Sequence, residues 1–373
     1  MGQQAAKLPP AGTAIWSGTE EEPTSPDFVL SVFFEGTGNT IRPARTLIGI
    51  IYSLCPATAV TPDAIASTAF HRHDHAKMAF DGCGVTHGTM GTLFATGVNT
   101  VAEDVINCVH GVLEGRPRTK FVQVNAVGFS RGGIACLRLA KKLQPVAVKY
   151  KDKTKIRLSM LLFDPVPGNV VSTGFPGTAS ELKDLSDCDC LHRVLAVYPV
   201  EPLPDYTLHA PMLPVYPKDC WVEEDATLGC HQGALFNTTE RPWTTPYGGA
   251  SNLSFNRIME FMSSQGTKFS NGGPIFRPSR EQCSDVCHNA QSQDKPSKRI
   301  THDVSGQGRL IVRRNERDKP MYLNRHHERL ERDLAVDADL AGGPRQRGGA
   351  RYMLDILLPS EANAIPERPP PET

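Results

Sequence analysis

The chain of 373 residues has no charge of either sign in excess: 40 Lys and Arg stand against 40 Asp and Glu, for a net charge of +0. Nucleic-acid binding through phosphates calls for a basic surplus, so that class of function finds no support. No apolar run approaches the roughly 20 residues that cross a bilayer. The opening residues, Met1-Gly2-Gln3-Gln4-Ala5-Ala6-Lys7, lack the apolar centre of a signal peptide, and Ala6 stands where a myristoylation signal wants Ser or Thr. The 10 cysteines fall in no disulfide framework. They are expected to be reduced, mostly buried thiols of a protein made in the cytoplasm. If it leaves its cell, it does so without a conventional cleaved signal. What the chain has in plenty is proline, 30 residues gathered at the ends and between Pro199 and Pro217.

Residues 1–27 show no periodicity and read as a flexible N-terminal arm. Phe28-Val29-Leu30-Ser31-Val32-Phe33-Phe34 is a strand-length apolar run, as expected for a strand covered on both faces. It ends in Glu35-Gly36-Thr37-Gly38-Asn39, a loop rich in backbone donors. Leu47 to Leu54 reads as helix, and Phe70 to Gly97, rich in Gly and His, as loop. Thr100 and Glu103 fit a capping box, followed by Val101, Val105, Val109 and Val112 at helical spacing. Further strands are expected at 121–128, 156–164 and 194–198, and a last helix from Ser254 through Phe261. Strands alternating with helices imply a mostly parallel central sheet covered by helices on both faces, the α/β-hydrolase architecture. Residues 28–265 form the expected catalytic domain. Residues 266–373 read as a partly disordered C-terminal appendage, with a basic stretch, Arg309 to Arg332, of solvated or helical character. In such sheets the working groups collect at the carboxyl ends of the strands. Here those ends offer Glu35 to Asn39, Ser130, Asp164 and the loop after Tyr198.

Gly128-Phe129-Ser130-Arg131-Gly132 stands between the apolar run 121–127 and the helix-like Ile134-Ala135-Cys136-Leu137. A G-x-S-x-G set between strand and helix is a nucleophile elbow, with the serine at the apex of a sharp turn. Gly128 and Gly132 remove Cβ atoms that would collide there. The Arg131 N–H, at a helix N-terminus, can hold an oxyanion. A serine hydroxyl needs a base, and the base an orienting acid, which in this architecture follow the serine in the order acid, histidine. Asp164, ending a buried strand, and Asp205, after the next strand, compete as the acid. His231, in Gly229-Cys230-His231-Gln232-Gly233 and read as a loop, is the favoured base. His192 and His209 also follow Ser130, but stand at a strand start and in a proline-rich loop.

Several separated pieces appear in one family's order: Phe33-Phe34-Glu35-Gly36-Thr37-Gly38-Asn39, Asp81-Gly82-Cys83-Gly84-Val85, Gly128-Phe129-Ser130-Arg131-Gly132-Gly133, Phe163-Asp164-Pro165-Val166 and Gly229-Cys230-His231. Across residues 28–265 the chain resembles the α/β-hydrolase domain of type VI secretion lipase effectors. Members read F-F-D-G-T-x-N, G-V-G, G-F-S-R-G-A, F-D-T-V and G-x-H in turn. This chain has Glu35, Gly133 and Pro165 in place of the Asp, Ala and Thr, and Gln232-Gly233-Ala234 after His231. The resemblance implies a Ser130, Asp164 and His231 triad, with the Gly36 and Thr37 loop beside the oxyanion. It implies hydrolysis of phospholipid or other esters at a membrane surface, no cofactor, and secretion into a target cell with secretion-apparatus and immunity proteins as partners. A different reading is an interaction protein on a hydrolase fold with a degenerate site, or an esterase acting on a non-lipid ester.

Other clusters are weaker. His71-Arg72-His73-Asp74-His75 alternates histidines as strand-borne metal ligands would, yet a solvated loop accounts for it. Cys283-Ser284-Asp285-Val286-Cys287-His288 has near-zinc spacing without a fourth ligand, and Cys188-Asp189-Cys190 has less. Glu35-Gly36-Thr37-Gly38-Asn39 lacks the Lys-Ser/Thr of a P-loop. Arg313-Arg314-Asn315-Glu316-Arg317 would suit an anionic lipid surface, or simply water.

Overall fold

A computed structural model describes residues 25–44, 46–61, 73–85, 97–167, 181–201, 212, 214–230, 248–270, 302–304 and 309–311. In chain order the elements are β1 (Phe28–Phe34), α1 (Leu47–Leu54), β2 (Thr58–Ala59), β3 (His75–Phe80), α2 (Val98–Gly115), β4 (Phe121–Phe129), α3 (Arg131–Tyr150), β5 (Lys155–Phe163), β6 (Leu191–Glu201), β7 (Trp221–Cys230) and α4 (Gly248–Ser264). The first seven strands form one sheet in the order β2-β3-β1-β4-β5-β6-β7. Every neighbouring pair is parallel, so the expected mostly parallel sheet is parallel throughout. The order reverses between β1 and β4, and open parallel sheets bind ligands outside the carboxyl ends of the strands at such a point.

Alternation along the strands feeds a core on each face. Phe34, Val124, Ala126 and Leu162 face one side with Val105 and Val109 of α2 and Ile134 and Leu137 of α3. Phe33, Val127, Leu161 and Val197 face the other with Ile48 and Ile51 of α1 and Ile258 and Met262 of α4. Burying each Val, Leu, Ile, Met or Phe side chain among them contributes about 1.5–3 kcal/mol. This is an α/β-hydrolase-like fold. No helix among the described residues is long and apolar enough to cross a membrane.

Below the second core the sheet carries a polar seam. Ser31 Oγ bonds His75 Nε2 at 2.9 Å and Thr267 Oγ1 at 2.8 Å. Asn125 Nδ2 donates to Thr267 Oγ1 at 3.0 Å and to the Gln265 carbonyl at 2.7 Å. Gln123 Nε2 donates to Asn125 Oδ1 and Ser159 Oγ, and Ser159 Oγ donates to Gln265 Oε1. These groups bind the segment after α4 to the sheet, and the chain stays on the body as far as Ser270, whose N–H reaches the Leu54 carbonyl.

Several sequence expectations need correction. The stretch 70–97 is not all loop, because His75–Phe80 forms β3. Its buried Lys77 disguises it: the ammonium sits 4.3 Å from the Tyr52 ring centre and donates to the Tyr52 and Cys55 carbonyls that end α1. Residues 227–230 are the last turnless residues of β7, not loop. That strand hides behind Glu223-Glu224-Asp225. Glu223 is buried because Arg193 and the Trp221 indole N–H both reach its Oε1, at 2.9 and 2.6 Å. The N-cap of α2 is Gly97, at φ 102°, so Thr100 lies inside the helix and caps nothing. Arg309–Ile311 is a strand paired antiparallel with His302–Val304, not helix.

Candidate active site

The parallel strands bring the chemistry to one edge. Beyond their carboxyl ends follow Glu35 from β1, Asp81 from β3, Ser130 from β4 and Asp164 from β5. Ser130 is the turn between β4 and α3 and adopts φ 55°, ψ −116°. Asp164, at φ 45°, is the other non-glycine residue with positive φ among the described residues. The two are neighbours: Phe129 pairs with Phe163, and the Ser130 N–H donates to the Phe163 carbonyl at 2.9 Å. Both are buried, at 4% and 6% exposure. Such backbone costs about 1–3 kcal/mol per residue and persists only where the surroundings impose it.

The surroundings do impose it. A Cβ on Gly128 would lie 2.2 Å from the Gly132 carbonyl oxygen, and one on Gly132 would lie 2.2 Å from that of Phe34. The strand therefore folds back into α3 with backbone against backbone, and α3 rests on the end of β1. The Ser130 carbonyl accepts from Gly133, Ile134 and Val166 N–H groups. Its side chain makes no capping bond, so the hydroxyl is not spent on the helix. The Asp164 N–H donates to the Val197 carbonyl at 2.8 Å, which fixes the aspartate over the β5–β6 pair.

The β1 loop lies alongside. Arg131 Nη1 donates to Thr37 Oγ1 and so ties the loop to the first turn of α3. Gly36, Gly38 and Asn39 N–H groups are engaged by Glu35 Oε2, the Cys83 carbonyl and the Gly36 carbonyl. Thr37 N–H has no acceptor among the described residues. The Arg131 N–H, first of its helix, has no intrahelical acceptor either. Glu35 is 2% exposed, and burial pushes its carboxyl up to about 7 even though Thr46 Oγ1, at 2.6 Å, and Gly36 N–H stabilise the charged form. Sequence reasoning placed Glu35 in the loop but gave it no task. It holds the loop against Thr46, the N-cap of α1.

Histidine is the open half of the site. His75 begins β3 and His192 is the second residue of β6, both at the amino edge of the sheet, away from Ser130. His231 follows Cys230, the last residue of β7, and lies outside the described residues, as do Asp205 and His209. Three strand spacings of about 4.8 Å, about 14 Å of sheet edge, separate the ends of β7 and β4. Among the described residues no cluster of three or more His, Cys, Asp or Glu could hold a metal ion. Cys188 and Cys190 are buried free thiols pushed well above their ordinary range by burial, and Cys283, Cys287 and His288 lie outside the described residues.

Comparison with protein-family models and with curated proteins gives no match. Among solved structures, the chain is similar to an uncharacterized protein from Pseudomonas aeruginosa, at 12% identity and TM-score 0.46, over 72% of this chain and 51% of that one. It is also similar to the Tle1 effector solved bound to the VgrG spike of the Type 6 secretion system, at 14% identity and TM-score 0.37, over 65% and 57%. A third is the peroxisomal alpha-beta-hydrolase Lpx1 from Saccharomyces cerevisiae, at 12% identity and TM-score 0.34, over 72% and 85%. The chain thus matches little more than half the length of the first two, 51% and 57%.

Proposed function

We propose that the chain is a serine-dependent ester hydrolase working through an acyl-enzyme, with phospholipid-class esters as substrates. The observation that carries this reading is the Ser130 backbone, held at positive φ between a buried parallel strand and a 20-residue helix. A site that needs its hydroxyl raised over the sheet edge has a use for that strain.

In this scheme Ser130 Oγ attacks the acyl carbonyl and gives its proton to His231. The Arg131 and Thr37 N–H groups receive the oxygen that becomes negative in the tetrahedral intermediate. Collapse breaks the ester bond, and the departing alcohol takes the proton back from His231. Water then repeats the sequence on the acyl-enzyme. Asp164 is the positioning residue that fixes the imidazole tautomer, with Asp205 as the second choice. No cofactor enters. The phospholipid assignment, export as an effector, and partnership with a secretion apparatus and an immunity protein rest on the ordered motifs shared with the lipase effectors.

Hydrolysis of short-chain phospholipids and simple esters tests the reading. Ser130→Ala and His231→Ala are expected to lower kcat by about 10³-fold or more. Asp164→Asn and Asp205→Asn should divide sharply, with only the orienting acid costing as much as about 10⁴-fold. Wild-type rates in Ser130→Ala would overturn the proposal.

A further inference from the structure

On the α2 side of the elbow a cavity of about 110 Å³ opens between the ends of β1 and β3 and the first turns of α2 and α3. Phe34, Phe80, Val98, Val101 and Ala135 give it apolar walls, and among the described residues one cation, Arg131, lines it. Arg131 Nη1 is taken by Thr37 Oγ1, while its Nε is buried with no acceptor among the described residues. Among the described residues no ion pair includes Arg131. A buried donor left unmade costs about 1–3 kcal/mol, more on a charged group, unless something accepts from it.

Two acids border the cavity, and both carboxyls are held from the α1 side. Glu35 is bound by Thr46 Oγ1 and Gly36 N–H, and Asp81 Oδ1 accepts from Ile41 N–H at 2.7 Å. The fields of two long helices point the other way. Gly97, Val98 and Thr100 of α2 and Arg131 and Gly132 of α3 present their N-terminal turns to the cavity, and the Gly97 cap offers α2 no side-chain acceptor. The volume falls well short of the roughly 300–1,000 Å³ that encloses a whole small molecule, so the space suits a single group.

We infer that this cavity is a phosphate subsite, which takes the phosphate of the ester substrate's alcohol portion on the Arg131 guanidinium while the acyl carbonyl lies over Ser130. Its link to the acyl group rests on the hydrolase reading; its affinity for phosphate does not. A guanidinium offers a fixed fork of donors to phosphate oxygens, which a lysine ammonium does not reproduce.

Calorimetric titration of the full chain with inorganic phosphate is the test. Wild type should bind saturably. Arg131→Gln should weaken binding about tenfold or more, the worth of a charge-assisted hydrogen bond, with Arg131→Lys between. Val101→Phe, which fills the cavity from α2 and leaves the guanidinium in place, should lose binding too, with circular dichroism verifying both folds. No saturable binding by wild type, or equal binding by Arg131→Gln, overturns the inference. A second arm compares kcat/KM for a short-chain phosphatidyl ester with that for a neutral diacyl ester. The ratio should fall about tenfold in Val101→Phe, as the phosphate contact is lost. An unchanged ratio with lost phosphate binding would mean a site for free phosphate, and the substrate assignment would fall. Phosphate binding that depends on Arg131 in a chain that hydrolyses no ester would leave the subsite standing and remove the hydrolase reading instead.

Discussion

Two of the places where the sheet buries polar groups are treated in opposite ways. In the seam, Ser31, His75, Asn125, Gln123, Ser159 and Thr267 are uncharged donors and acceptors that satisfy one another across β3, β1, β4 and β5. At the carboxyl edge, Ser130 and Asp164 sit at positive φ, Glu35 is held near neutrality by burial, and Arg131 keeps an open donor. A satisfied network fixes register and anchors the segment after α4. A strained, incompletely satisfied edge is where strain and charge are kept for use. The same strands supply both, a few residues apart: Asn125 lies in the seam and Ser130 at the edge.

The comparison breaks first at its tightest point. Gly132→Ala drives a methyl against the Phe34 carbonyl and should destabilise the chain by about 3 kcal/mol or more, read by urea unfolding. The elbow geometry should go with it, so ester hydrolysis should fall even in the fraction that stays folded.

Next comes pH, where the two regions pull against each other. Burial raises the Glu35 carboxyl from 4.5 to about 7, so its contribution to stability is full below pH 4.5 and is lost as pH rises through 7. Burial lowers His75 from 6.5 to about 4, aided by the Lys268 and Lys77 charges and opposed by Asp74. Its contribution is full above pH 6.5 and is lost as pH falls through 4. Each amounts to at most about 3 kcal/mol, with opposite slopes over a shared window. In wild type they offset. Glu35→Gln should leave stability climbing with pH between 4.5 and 6.5, and His75→Gln should leave it descending, in urea unfolding across that range. Parallel slopes in the two variants would contradict the assignment.

The smallest effect sharpens the contrast. Asn125→Ala removes a donor and an acceptor from the seam and should cost about 2 kcal/mol in thermal or urea unfolding. Turnover per folded molecule should not change, because the seam touches nothing at the edge.

Much of this was legible in the sequence. The uninterrupted apolar runs of β1, β4 and β5 declare doubly covered strands, and G-x-S-x-G between strand and helix declares the turn at Ser130. Two of the strands that escaped notice, β3 and β7, carry Lys77 and Glu223, charges that read as surface until their partners are in view. Those partners include the carbonyls at the end of α1 and Arg193 of β6, contacts no local pattern encodes. The start of α2 was misjudged because Thr100 and Glu103 imitate a capping box inside a helix that Gly97 had already begun. The pairing of Ser130 with Asp164 follows from the β4–β5 register, which apolar runs do not specify. The Arg131 cavity was invisible for a similar reason, since it needs two helix ends and two strand ends at one point.

The most direct measurement is mapping the adduct left by a fluorophosphonate, which bonds preferentially to an activated serine hydroxyl. The account predicts one phosphonylated residue in the folded chain, Ser130, with labelling lost in Ser130→Ala and in His231→Ala. A folded wild-type chain that takes no label, or a label that survives Ser130→Ala, would contradict it.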